Sequence, residues 1–319
     1  MKLARKLIDA AVESGADAVK FQSFKADRLA SPVAERAQYQ ISNVGGEESQ
    51  LAMLKRLELS DQGHHDLQRY CEELGITFMS SPFDEESADF LETLDVDAYK
   101  IPSGEITNLG FLEHVAAKHK PLIVSTGMAD LAEVKVAVDL IRTTGNDDLI
   151  LLHCLSNYPA DPAEANLRAM LTMGDTFDVA VGYSDHTPGN EVSLAAVALG
   201  ACVIEKHFTM DRALPGPDHK ASLEPDELTA LVAGIRKVES SLGDGQKRAM
   251  ASETDTAVFA RKSLVAAVDL PAGATIDRES IVVMRPGTGL APSRLGEILG
   301  KRVASPFHAG DLLTIEGLE

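Results

Sequence analysis

The sequence predicts an α/β protein: a (β/α)8 TIM barrel that lacks its first strand, followed by a small C-terminal β-rich domain. Three observations carry this. Short apolar runs alternate with helical periodicity up to about Leu242. The strands in that stretch number seven, and a leading helix stands where a strand is due. From Gly243 the texture changes to short β-branched stretches between Pro- and Gly-containing turns. A doubly wound open sheet is the competing architecture, but no Gly-rich dinucleotide fingerprint follows any strand.

In chain order, Met1–Ser14 reads as an amphipathic helix, apolar at Leu3, Leu7, Ala10 and Ala11 and closed by Gly15. A series of strand–helix units should begin with a strand, so this chain starts one element late. Strands are expected at Ala18–Gln22, Thr77–Ser80, Ala98–Ile101, Leu122–Val124, Leu149–His153, Val179–Gly182 and Val203–Glu205. The clearest helices are Asp61–Leu74, Leu131–Arg142, Glu191–Gly200 and Pro225–Leu242, with Ser60-Asp61 and Glu224-Pro225 as start signals. Ser23–Leu59 has weak periodicity and contains Gly45-Gly46 and Glu47-Glu48. It is expected to be a long functional loop, a lid over the site. The expected domains are a barrel over 1–242, a linker over 243–256 and a β module over 257–319. Within the module, Lys262–Ala267, Ile281–Met284, Lys301–Ala304 and Leu312–Ile315 read as β. So small a module should dock on a barrel.

The 319 residues are 45% hydrophobic, enough for a large core, and carry a net charge of −19. That charge argues against nucleic acid and against an anionic membrane surface as partners, so an anionic substrate needs positive charge gathered in one cleft. Cys71, Cys154 and Cys202 lie far apart in apolar runs and read as reduced, buried thiols of a cytoplasmic protein. No apolar run is long enough to span a bilayer, and no secretory leader is evident.

His186 and His207 each close a strand, with the Glu191–Gly200 helix between them. A strand–helix–strand unit brings both imidazoles to one edge of a parallel sheet, within reach of one metal ion. Polar residues recur at the other strand ends: Lys20-Phe21-Gln22, Ser80-Ser81-Pro82, Lys100 to Glu105, Ser125-Thr126-Gly127, Ser156-Asn157-Tyr158, Ser184-Asp185 and Glu205-Lys206. Hydroxyls with lysines suit a small phosphorylated anion, and an imidazole-bound metal would polarise a carbonyl oxygen beside it. The reaction itself is not legible from residue chemistry.

At these residues the chain resembles the sialic acid synthase family, the phosphoenolpyruvate-dependent synthases of nine-carbon sugar acids. The matching strings are Lys20-Phe21-Gln22-Ser23, Tyr99 to Glu105, Ser125 to Met128, His153-Cys154 with Tyr158-Pro159, Gly182 to Thr187, Glu205 to Phe208 and Pro215 to His219. Arg285 to Gly289 resembles the antifreeze-like (SAF) module that ends such enzymes. The resemblance implies condensation of phosphoenolpyruvate with N-acetylmannosamine or a related 2-acetamido sugar. In that reaction C3 of phosphoenolpyruvate attacks the open-chain aldehyde, water adds at C2, and phosphate leaves by C–O cleavage. It implies His186 and His207 as ligands of a divalent metal, manganese first, with magnesium or cobalt as alternatives. Lys20, Ser81, Lys100, Ser103, Ser125, Ser156, Tyr158 and Ser184 are the implied phosphoenolpyruvate cradle. Glu105 is implied in proton handling, and Gln22 and Asp218 in facing the sugar. Arg285 is implied to enter the site of a partner subunit in a domain-swapped homodimer.

Two departures from the family pattern stand out. Ser156 replaces an Asn of some members, and the family's first strand, with its Glu-Ile-Gly-x-Asn-His-x-Gly-type motif, has no counterpart ahead of Met1. The Glu47–Ser60 and Pro215–Glu227 strings also resemble synthases of diacetyllegionaminate, which makes that or pseudaminate synthesis an alternative. A Schiff-base aldolase on Lys20, Lys100 or Lys206 is a rival mechanism. A catalytically impaired binding remnant, through absence of the first strand, is a rival of another class.

Overall fold

The computed structural model describes residues 1–44 and 48–319, so Gly45, Gly46 and Glu47 of the expected loop lie outside the described residues. The chain forms two compact units, Met1–Gly243 and Asp244–Glu319.

The first unit opens on helix α1 (Lys2–Glu13), whose Ile8, Ala10 and Ala11 are buried. Seven strands follow: β1 (Ala18–Ser23), β2 (Thr77–Pro82), β3 (Tyr99–Ile101), β4 (Leu122–Ser125), β5 (Leu149–Cys154), β6 (Ala180–Asp185) and β7 (Ile204–Lys206). All pair in parallel, β1 with β2, and β3 through β7 in sequence order. This is the curled α/β sheet of barrel type that the strand count predicts. Among the described residues no ladder joins β2 to β3 or β7 to β1.

Most strands run further toward their carboxyl ends than apolarity alone predicts, so that Ser81, Ser125, Cys154, Ser184 and Asp185 sit inside ladders. Backbone pairing continues where the side chains turn polar. Gly182, on β6, is required by contact. A Cβ there would lie 2.4 Å from Val203 O and 2.6 Å from Leu152 Cδ2.

Helices α5 (Asp61–Leu74), α6 (Glu85–Thr93), α7 (Leu109–Ala116), α8 (Leu131–Thr143), α9 (Arg168–Phe177), α10 (Glu191–Ala198) and α11 (Pro225–Leu242) follow strands β1 to β7. The sequence signals set their ends. Ser60 Oγ accepts from Gly63 N at the start of α5, and Gly75 closes it with φ +72°. Asp130 and Glu133 box the start of α8, and Glu224 and Glu227 that of α11. The core between strands and helices holds Leu67, Leu91, Tyr99, Ile101, Leu112, Val124, Ile141 and Leu151.

Two expectations are corrected. Ser23–Leu59 is no featureless loop: it carries α2 (Ala26–Leu29), α3 (Gln38–Val44) and α4 (Gln50–Leu57), each too short to show a clear period. Cys71 and Cys154 are buried, but Cys202 is exposed, because its apolar run lies ahead of β7 and not within it. No helix among the described residues is long and apolar enough to cross a membrane.

The second unit has its own core of Leu264, Ala266, Ile276, Ile298, Val303 and Leu313. Strands β8 (Ser263–Ala266) and β9 (Ile281–Met284) pair antiparallel, preceded by α12 (Thr254–Ala260), with α13 (Leu295–Ile298) later. The expected β stretches Lys301–Ala304 and Leu312–Ile315 contribute only isolated bridges, such as Val303 to Leu318 and Val265 to Leu312. Turns interrupt them before a ladder can form.

Candidate active site

Residues of five strands, β1, β3, β4, β6 and β7, meet in a buried charge cluster. Lys100 on β3 is 2% exposed, and its Nζ donates to Ser125 Oγ on β4 (2.8 Å) and Ile101 O (3.0 Å). Glu205 on β7 lies 3.5 Å from Lys100 Nζ and 3.3 Å from Lys20 Nζ on β1, and accepts from Ser184 Oγ on β6 (3.2 Å). Burial pushes the Lys100 ammonium down to about 8, against the pull of Glu205. Burial also raises the Glu205 carboxyl, but Lys100 and Lys20 outweigh it and hold it well below the usual carboxylate range. Two lysines therefore share one carboxylate. This leaves the three groups with positive charge in excess, in a chain of net charge −19.

Beside the cluster the hydroxyls gather around Gly127. A Cβ at Gly127 would meet Ser156 Oγ at 2.1 Å, Ser103 Oγ at 2.8 Å and Cys154 Sγ at 3.2 Å. Gly127 N donates to Ser103 Oγ at 3.0 Å. Ser81 Oγ on β2 is buried without a hydrogen-bond partner, a donor suited to an anion. Burial pushes the Cys154 thiol up, but hydrogen bonds with His186, Ser103 and Ser156 carry it below the usual thiol range. Glu105 sits in a short 3₁₀ turn after β3 and accepts from Asn108 Nδ2 (2.7 Å). Burial raises its carboxyl, so it holds a proton more readily than an exposed glutamate.

The imidazoles of His186 and His207 meet with ring centroids 5.1 Å apart, and Tyr158 packs on both, 4.2 Å from His186 and 5.4 Å from His207. Leu155 O can only accept, so His186 Nδ1–H donates to it (2.9 Å) and leaves Nε2 with its lone pair. Burial, with His186 and Lys20 nearby, holds His207 down to about 3, neutral at physiological pH. Two imidazoles side by side fit a divalent cation. Among the described residues no third His, Cys, Asp or Glu completes a ligand set, which leaves the other positions to oxygen donors. Asp218 Oδ1 is buried and unpartnered, and burial raises its carboxyl. Gln22 is exposed at the end of β1. A cavity of about 600 Å³ between β1 and β7 joins Lys20, Gln22, Lys100, Glu205, His207 and Asp218 to apolar side chains of α1 and α11.

Three participants were not singled out from sequence. Glu205 organises the charge cluster, and the signal for it was its place in Glu205-Lys206-His207. Cys154 borders the serine cradle. Tyr39 on α3 stacks on Tyr158 at 5.0 Å, its phenol pushed up to about 12 by burial and by Asp218. Of the three lysines offered as Schiff-base nucleophiles, Lys206 is fully engaged by acceptors. Arg285 belongs to the second unit, exposed after β9, where its Nε donates to Ala260 O (3.2 Å).

Residues 7–247 match the NeuB family model and residues 261–319 match the SAF domain model. The chain is 51% identical over 323 residues to N,N'-diacetyllegionaminic acid synthase of Legionella pneumophila, covering 100% of this chain and 91% of that protein. It is 46% identical to the enzyme of the same name from Campylobacter jejuni, covering 98% and 94%. Among solved structures, an N-acetylneuraminic acid synthetase from Leptospira borgpetersenii, in complex with citrate, superposes with a TM-score of 0.69 at 33% identity, covering 80% of this chain and 84% of that one.

Proposed function

Since this chain belongs to the NeuB family, whose named relatives are synthases of nonulosonic acids, we propose that it condenses phosphoenolpyruvate with a 2-acetamido sugar to give such an acid and phosphate. The observation that carries the reading is the pairing of Lys20 and Lys100 around one carboxylate, Glu205, directly beside His207. The two lysines and His207 line one cavity, and His186 lies against His207.

Lys20, Lys100 and the hydroxyls of Ser81, Ser103, Ser125, Ser156 and Ser184 bind the phosphate and carboxylate, supplying charge and hydrogen bonds where a polyanion must leave water. Tyr158 seals the cradle against the imidazoles. Asp218, with its unpartnered oxygen, and Gln22 orient the sugar's hydroxyls. His186 and His207 would hold a divalent cation, manganese first, which when bound polarises the sugar's aldehyde oxygen. The C–C bond forms from C3 of phosphoenolpyruvate to the aldehyde carbon, and water adds at C2. Cleavage of the C2–O bond releases phosphate, with Glu105 moving the proton. The exposed Phe259 and Met284 flank Arg285 on the second unit and favour docking of that module on the barrel of a partner subunit. Phosphoenolpyruvate as substrate suits a cytoplasmic location.

A second reading concerns the acceptor. Identities of 51% and 46% to two synthases of a doubly acetylated acid favour a sugar carrying two acetamido groups. Product identification by mass spectrometry decides both points. The chain is incubated with phosphoenolpyruvate, manganese and a panel of mono- and diacetamido sugars. A nonulosonic acid formed with stoichiometric phosphate is expected, and chelation should abolish it. Turnover that survives chelation, with borohydride trapping of pyruvate on a lysine, would overturn the reading.

A further inference from the structure

Three consecutive residues at the carboxyl end of β7, Glu205 and Lys206 within the strand and His207 just beyond it, point to three different tasks. Glu205 serves the charge cluster and His207 the imidazole pair, while the Lys206 side chain is taken up in a buried ion pair with Asp185. Its side chain is 3% exposed and that of its partner Asp185 is 0% exposed. Lys206 Nζ donates to Asp185 Oδ2 (2.7 Å), Thr187 O (2.6 Å) and Gly189 O (3.0 Å), which uses all three protons. Asp185 Oδ2 also accepts from Ser193 Oγ of α10 (2.6 Å), and Oδ1 accepts from Thr187 N (2.8 Å) and Thr187 Oγ1 (2.7 Å). The network is saturated.

Its members flank His186 on both sides: Asp185 precedes it, and Thr187 and Gly189 follow. Lys206 in turn is bonded through one peptide to His207, and the β6–β7 ladder sets Asp185 opposite Lys206. One ammonium thus ties the backbone of one imidazole to the backbone of the other. A buried ion pair is a poor route to stability, since apolar residues of equal volume commonly do as well, so its place between the two histidines points to another role. Among the described residues no third His, Cys, Asp or Glu joins the two imidazoles, so their mutual spacing is what a cation held there would depend on.

We infer that Lys206 and Asp185 are positioning residues that fix His186 against His207, and through that spacing set the affinity for the divalent cation. This rests on the reading of the two histidines as cation ligands. The test is Mn²⁺ binding by electron paramagnetic resonance on the full chain, alongside phosphoenolpyruvate binding by calorimetry. Lys206→Met alone would strand a buried carboxylate, so it is paired with Asp185→Asn, whose Oδ1 still accepts from Thr187 while its Nδ2 donates to Ser193 Oγ. The pair should weaken Mn²⁺ binding by about tenfold or more, as loss of outer-shell support does elsewhere. Phosphoenolpyruvate affinity should stay within about twofold, and high Mn²⁺ should restore turnover. Ser193→Ala, a smaller change that folds more readily, should move Mn²⁺ affinity in the same direction by a few-fold. Unchanged Mn²⁺ affinity in a folded paired variant overturns the inference alone. If His207→Ala binds Mn²⁺ as tightly as the parent, or the parent binds none, the two-histidine reading falls and the positioning role falls with it.

Discussion

Lys100 is a cation almost without water, held by Ser125, Ile101 and Glu205. Its proton is bound less tightly in the fold, at about 8, than at the ordinary 10.5 of the unfolded chain. Between those values the unfolded state carries the proton and the native state has lost it, so stability should rise from pH 8 to 10.5. The swing is of order 1–3 kcal/mol, measured by urea unfolding across that range, and Lys100→Met should flatten it. A parent curve that falls over the same window would contradict the buried-ammonium account. At this scale the histidines and lysines were legible because each ends an apolar run, where a polar residue stands out. Glu205 was not, since its partners Lys20, Lys100 and Ser184 reach it only after three other strands are in place. Cys154 was hidden in the same way: a lone thiol in an apolar run reads as core until Gly127, Ser103 and Ser156 surround it.

The seven strands and the long helices were legible because each had a period and a cap, as with Ser60 before α5 and Glu224 before α11. Helices α2, α3 and α4, of four, seven and eight residues, were not. Fewer than about two turns give no stable repeat to read, and such helices form only because they pack on something. For α3 that something is the site: Tyr39 stacks on Tyr158, and Asn43 Nδ2 donates to Pro217 O (2.6 Å). Tyr39→Ala should therefore loosen this cover. Steady-state kinetics should show a several-fold higher KM for the sugar, with Mn²⁺ affinity little changed. An unaltered KM would mean that α3 is packing only.

Over the whole barrel unit, the β1 and β7 edges face a cavity with apolar walls and carry no ladder to one another among the described residues. Unpaired edges beside apolar surface invite association with other chains. Light scattering should show association that grows with protein concentration. Val19→Lys, which places a charge on β1 at the cavity wall, should reduce it. A chain that stays monodisperse at high concentration would show that these edges are protected. The barrel architecture itself was legible as alternation and count, whereas the gap's chemistry was not. The cavity is lined by residues as far apart as Leu7 and Glu239.

The stack of Tyr39 on Tyr158 has an optical consequence. The chain has no tryptophan and five tyrosines, so its near-ultraviolet emission is that of phenol alone. Two of those five emitters touch each other, and one also lies against the imidazoles. A ligand that parts or tightens this stack alters quenching between neighbours while Tyr70, Tyr99 and Tyr183 stay constant as an internal reference. Unlabelled protein should thus report occupancy of its own site through its tyrosine emission, and Tyr39→Phe should remove most of the signal.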